Sequence, residues 1–181
     1  MLGWQDVISF WFMECTPEDW FSGEAAFDAR VEARFIETYH RVTLGEAFTW
    51  RSVAEGRLAE VIVLDQFSRQ FYRQSPRAFA YDGMALALAQ EAVAGGHDLG
   101  LGKSQRQFLY MPYMHSESLA IHDAGLPLFQ SLNDPGIAQY EYDHAAVLRR
   151  FGRYPRRNAP LGRDSTLEEI AYLAEDGTRA F

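Results

Sequence analysis

The sequence predicts an all-α fold, a compact array of antiparallel helical hairpins with no significant sheet. Three observations lead there. Apolar residues recur at i, i+3, i+4 and i+7 in one segment after another, the period of a helix with one buried face. Short connections marked by Gly and Pro separate these segments, and short connections favour antiparallel neighbours. Capping patterns stand ahead of several of them: Ser52 with Glu55, Ser104 with Gln107, and either Ser165 with Glu168 or Thr166 with Glu169.

The bulk properties fit one domain over residues 1–181. With 48% apolar and 23% charged residues the chain has the make-up of a folded protein rather than a disordered one. A net charge of −8 repels a nucleic-acid backbone unless a local basic patch overrides it, so no nucleic-acid partner is expected. The single cysteine, Cys15, rules out an intrachain disulfide and suits a reducing compartment. No apolar run approaches the roughly 20 residues that span a bilayer, and the N-terminus lacks the basic start of a secretory signal. The expectation is a cytoplasmic protein with no membrane association. Oligomeric state is not legible.

Taken in order, Trp4, Val7, Ile8 and Trp11 form the apolar face of a first helix. Thr16, Pro17, Glu18 and Asp19 read as a cap and a short first turn that stops by Gly23. A long helix over about 24–44 buries Phe27, Val31, Phe35, Tyr39 and Val42, with Gly45 as its stop. The next runs over about 53–72. Leu58, Ile62, Asp65 and Arg69 share one of its faces, placing an acid and an arginine at the end of an apolar stripe, a costly arrangement unless paired or functional. Asp82 caps an alanine-rich helix over about 83–94, whose small residues permit close helix approach. Pro112 is expected to break the following helix into 105–111 and 113–122, since it removes a hydrogen bond and clashes with the preceding turn. Gly125 and Pro127 interrupt again, leaving a short helix over 128–132. After a turn at 133–136 comes a helix over about 137–151 with Ile137, Tyr140, His144, Val147 and Phe151 on one side and Gly152 as its stop. An irregular stretch over 153–164 leads to a last helix ending near Asp176. No repeat of about 34 residues is visible.

Several stretches carry a resemblance. Leu64 to Phe67 with Arg69, Ser75 to Ala80, Tyr110 to Pro112 with Met114 to Glu117, Arg150 to Arg153 with Pro155, Arg157 and Asn158, and Leu161 to Arg163 with Ser165 and Thr166 resemble the bacterial domain-of-unknown-function family numbered 924. The match runs from about Val7 to Ala174. It implies an all-helical, right-handed, tetratricopeptide-like fold and no activity. The chain departs from the family pattern at Ser68, where proline is usual, and at Arg156, where histidine is usual. The family also runs a less interrupted helix past Gly125 and Pro127.

One polar constellation stands out: Asp65, Gln66, Arg69, His115, Glu117, His144, Arg150, Arg153, Arg157 and Asn158. Five arginines between Arg149 and Arg157 in an acidic chain suit carboxylate or phosphate oxygens, which guanidinium groups grip in a planar fork. The leading expectation is a binding module. Its ligand is an anionic small molecule or acidic peptide, held by Asp65, Gln66, Arg69, Arg150, Arg153, Arg157 and Asn158. An alternative is a hydrolase-like enzyme with His115 or His144 as base and Glu117 or Asp65 orienting it. A third is a scaffold in which the same charges only hold the fold. No cofactor or metal is expected. His115 and His122 lie i, i+7, about 10 Å apart on a helix, which does not suit one ion. Gly95, Gly96, Gly100 and Gly102 lack the spacing of a phosphate loop. Ser116 cannot relay between its neighbours His115 and Glu117, because adjacent helical residues face apart. The four tryptophans and the Phe/Tyr stripes read most simply as core.

Overall fold

The computed structural model describes residues 1–175 and is all-helical, with no strand among them. The expected helix end at Asp176 lies outside the described residues. No helix among the described residues is long and apolar enough to cross a membrane. The described backbone divides into two compact units: residues 1–73 with 77–112, and residues 74–76 with 113–175.

The first unit holds α1 (Trp4–Ser9), α2 (Pro17–Phe21), α3 (Ala25–Thr43), α4 (Ala54–Ile62), α5 (Ser68–Phe71), α6 (Asp82–Ala94) and most of α7 (Lys103–Met114). Two π turns interrupt its helices. One, Phe10–Glu14, extends α1; the other, Val63–Phe67, joins α4 to α5, so residues 54–71 form one continuous helical stretch. The expected stripe of α3 is buried throughout, from Phe27 to Val42. The rings of Phe10, Trp11, Phe35 and Phe67 meet at 5–6 Å spacing around it: Phe10 to Phe35 at 5.1 Å, Trp11 to Phe67 at 5.6 Å, Phe35 to Phe67 at 5.1 Å. Ala85, Ala89 and Ala92 of α6 are fully buried, and α6 packs on α4, as their size permits. Tertiary contacts overrule two expected caps. Ser52 donates to the Thr49 carbonyl at 3.1 Å instead of capping α4, and Asp82 is the first residue of α6 with its carboxylate turned to Arg69. At α7 the side chain that reaches back is Gln105, accepting from the Gly102 N–H at 2.9 Å, so the helix starts earlier than Ser104 implies.

The second unit holds the end of α7, α8 (Leu119–Gln130), α9 (Pro135–Phe151) and α10 (Leu167–Ala174), with one 3₁₀ turn at Pro155–Arg157. Three sequence expectations change here. Pro112 lies inside α7, close to its end, so its missing N–H affects only the last turn; the helix continues to Met114 and the chain is irregular until α8 begins. Gly125 and Pro127 both lie within an unbroken α8. Gly125 is required by packing: a Cβ there would stand 2.8 Å from Cβ of Tyr113. On α9 the buried face is Glu141, His144, Ala145, Val147 and Leu148, while Tyr140 is half exposed. The face is rotated from the expected one because Glu141 has a buried partner on α8. Gly152 does end α9, in the left-handed region at φ 72°, and Asp134 caps its start through the N–H groups of Gly136 and Ile137.

Candidate functional site

In the first unit, Asp65 and Gln66 sit in the π turn of the 54–71 stretch, and Arg69 follows one turn later. Asp65 is 1% exposed. Its Oδ1 lies 3.1 Å from Nη1 of Arg69, the i, i+4 pair the spacing implies, and its Oδ2 accepts from Nε2 of Gln66 at 2.6 Å. Arg69 also donates twice to the Asp82 carboxylate, at 2.8 and 2.9 Å, and to the Asp65 carbonyl at 2.8 Å. Gln66 reaches Sδ of Met111 at 3.4 Å. These groups satisfy one another's charge and hydrogen bonds, which is what lets an acid stand at the end of the Leu58–Ile62 stripe.

The remaining candidates, His115, Glu117, His144, Arg150, Arg153, Arg157 and Asn158, all belong to the second unit. Glu117 receives two bonds from Arg163, at 2.7 and 3.0 Å, and one from the Tyr154 N–H at 2.6 Å. Burial pushes its carboxyl up, but these donors outweigh burial and hold it below the ordinary carboxylate value. His144 is buried, and its Nδ1–H donates to the Tyr140 carbonyl at 2.7 Å. Burial, with the charges of His115, His122 and Arg157 nearby, brings its pKa down to about 3, so the ring is neutral at pH 7. His115 stands just past α7, its ring 6.5 Å from that of His144. Arg157, 6% exposed, lies over the face of Tyr154 at 4.6 Å, and the His144 ring meets the same tyrosine edge-on at 5.8 Å.

The two other arginines turn to α10. Arg150 donates to Glu168 at 2.9 Å, with both side chains about half exposed or more. Arg153 grips Glu169 through Nε and Nη2 at 2.7 and 2.8 Å. That fork, with help from the Thr166 N–H and the Asn158 side chain, brings the Glu169 carboxyl down to about 2. Asn158 donates to Oγ of Ser165 at 3.0 Å, and its own Oδ1 is buried.

The sequence reading passed over the most deeply buried polar pair of this unit. Nδ1 of His122 lies 2.6 Å from Oε1 of Glu141, each residue 1% exposed. Nε2–H of His122 donates to the Ser116 carbonyl at 2.9 Å and lies 3.1 Å from the Tyr154 hydroxyl, which itself donates to the Met114 carbonyl at 2.7 Å. Carboxylate, imidazole and phenol thus line up as they do in a catalytic relay, but all three are closed to solvent, the imidazole and phenol each hold a backbone carbonyl, and Oε2 of Glu141 is buried with no hydrogen-bond partner among the described residues. The arrangement holds structure. A signal was present: Glu141 lies i+4 from Ile137 and i−3 from His144, an acid on the apolar stripe. The same sign had drawn attention to Asp65. Among the described residues no group of three or more His, Cys, Asp or Glu side chains could hold a metal ion.

The solved structure of a protein of unknown function, ATU0120 from Agrobacterium tumefaciens, is similar: TM-score 0.90 and 34% sequence identity, over 94% of this chain and 96% of that one. None of the functionally curated proteins matches. The model of a family described as bacterial proteins of unknown function, DUF924, matches residues 7–177. With nearly the whole sequence matched, the chain belongs to the DUF924 family of bacterial proteins.

Proposed function

We propose that the protein is a binding module for a small anion, recognised in the second unit by Arg157, His144 and His115 around the ring of Tyr154. The observation that carries this reading is the placement of Arg157. Its permanent charge is 6% exposed and laid 4.6 Å from the Tyr154 ring, which the His144 ring also meets, with His115 6.5 Å beyond His144. The guanidinium, the Tyr154 ring and the His144 imidazole stand together where water is largely excluded, with the Glu117 carboxylate also in electrostatic reach of Arg157, and hydrogen bonds and charge act more strongly on an anion in such a setting than at the surface. The low pKa of His144 fits such a region: burial is its first cause, and Arg157 is among the neighbours that oppose its charging.

The wider arginine wall does not join this site. Arg150, Arg153 and Arg163 pair with Glu168, Glu169 and Glu117, carboxylates of the same chain. The acid–base alternative gains less support. His144 leans on a carbonyl rather than a carboxylate, and a base of pKa about 3 is poorly matched to neutral pH. Glu117 is committed to Arg163 and the Tyr154 N–H.

The test follows the histidine ring protons by NMR as phosphate, sulfate and citrate are added in turn. A bound anion lowers the cost of charging His144, so its titration should move up toward the ordinary imidazole range. At 100 times its Kd the anion should also add about 2.7 kcal/mol of stability. Arg157→Gln should lose both effects with the helical circular dichroism intact, and Arg157→Lys should keep part of each. An unresponsive His144 with all three anions, or a response that survives Arg157→Gln, would remove the reading.

A further inference from the structure

α10 is built inside out. Leu167, Ile170, Ala171 and Ala174 fall at i, i+3, i+4 and i+7, the face a surface helix ordinarily buries. Here that face is turned to solvent, with Leu167 87% and Ile170 52% exposed. The side chain it buries is an acid, Glu169, at 2% exposure. A helix of eight residues is far too short to persist on its own. Its charged attachment is the Arg153 fork on Glu169, Arg150 on Glu168 and the Asn158 amide beside Glu169; its apolar attachment is half-buried Tyr172, which meets Phe151 at 5.0 Å and packs against the Val147, Leu148 and Tyr154 cluster.

The seat has a definite pattern. Arg150 and Arg153, three residues apart across the end of α9, meet two adjacent glutamates of α10. Asn158 is 1% exposed, and its Oδ1 is buried there with no hydrogen-bond partner among the described residues. Bidentate guanidinium–carboxylate geometry is a recognition mode for carboxylates in general and has no preference for one from the same chain. We infer that α10 is a self-supplied ligand: an acidic latch that occupies a peptide seat made by Arg150, Arg153 and Asn158. The partner that fits the seat is a short helix carrying two adjacent glutamates, and binding it displaces α10. Neither Arg150 nor Arg153 takes part in the anion site around Arg157, so the two readings stand or fall separately.

The test uses the full chain and a fluorescent synthetic peptide of its own residues 161–175. Glu168→Gln/Glu169→Gln protein should bind the peptide at least about tenfold more tightly than wild type does, because its own latch no longer competes. Adding Arg153→Gln to that variant should abolish binding, and a peptide with both glutamates changed to Gln should not bind. Hydrogen exchange at residues 167–174 should quicken about tenfold or more in the Glu169→Gln protein while α8 and α9 stay protected. If the double variant does not fold, Glu169→Gln alone carries both measurements. Unchanged protection of α10 in Glu169→Gln, or peptide binding that is absent or insensitive to Arg153→Gln, would overturn the inference.

Discussion

Nδ1 of His122 and Oε1 of Glu141 lie 2.6 Å apart, each side chain closed to solvent, and the pair fastens α8 to α9. Removing one member leaves the other buried without its partner. Glu141→Leu and His122→Leu should each cost about 3–5 kcal/mol, whereas the double change to Leu should cost clearly less than their sum. Urea unfolding of the four proteins measures this. Additive losses would mean that the pair is not coupled.

Acid should weaken the fold in two steps whose order follows from the shifts. The His144 imidazole binds a proton near 6.5 when unfolded and near 3 when folded. Between those values the unfolded state holds a proton that the native state refuses. Stability is therefore full above about 6.5 and falls by about 1.4 kcal/mol for each pH unit below it. Glu169 has its carboxyl depressed from 4.5 to about 2, so its contribution is present above 4.5 and is lost below that. Melting temperature against pH should stay level above neutrality and fall from about 6.5 in the wild type. In His144→Asn the fall should begin only in the carboxylate range. Equal onset in both proteins would contradict the assignment.

Gly125→Ala tests the close approach inside the second unit. The added methyl meets Cβ of Tyr113 at 2.8 Å, too near for either to stay. The expected loss is about 1–3 kcal/mol, although alanine is the better helix former. A Tm at or above that of wild type would show that the contact relaxes freely.

Arginines of the same segment should differ sharply in worth. Arg150 and Glu168 are 46% and 61% exposed at the side chain, so Arg150→Ala should cost less than about 1 kcal/mol. Arg163 holds Glu117 with two bonds and the Tyr154 carbonyl with a third, all partly buried. Arg163→Ala should cost about 2 kcal/mol, because it leaves Glu117 to the Tyr154 N–H alone. Chemical denaturation of both variants settles the order.

Most helices were legible because their signal is local. The α3 stripe from Phe27 to Val42, the Thr16 and Thr166 caps and the Gly152 stop all depend on neighbours within a turn or two. The errors fell where distant partners decide. The Ser52 hydroxyl donates to the Thr49 carbonyl instead of accepting from an N–H of α4, and the partner of Glu141, His122, stands 19 residues away on α8. Pro112 and Pro127 were given more power to break helices than their positions allow. At the candidate site, the residue types were visible but their pairing was not. Arg150 and Arg153 read as a wall for a foreign anion, yet their carboxylates come from Glu168 and Glu169, about 16 to 18 residues further on. The Asp65–Arg69 pair was legible because it lies within one helical turn.

The π turn at Val63–Phe67 holds one residue more than a regular α-helical turn needs, and the 54–71 stretch is continuous through it. A single-residue deletion in the regular part of the stretch would swing every side chain beyond it by about 100° around the axis. Ser68 would then leave the Tyr39 hydroxyl, and Arg69 would leave Asp82. A deletion inside the widened turn does the opposite: the turn closes to a regular α-helix and the side chains beyond it keep their phase. The π turn is therefore the place where this stretch can give up a residue without losing its downstream contacts.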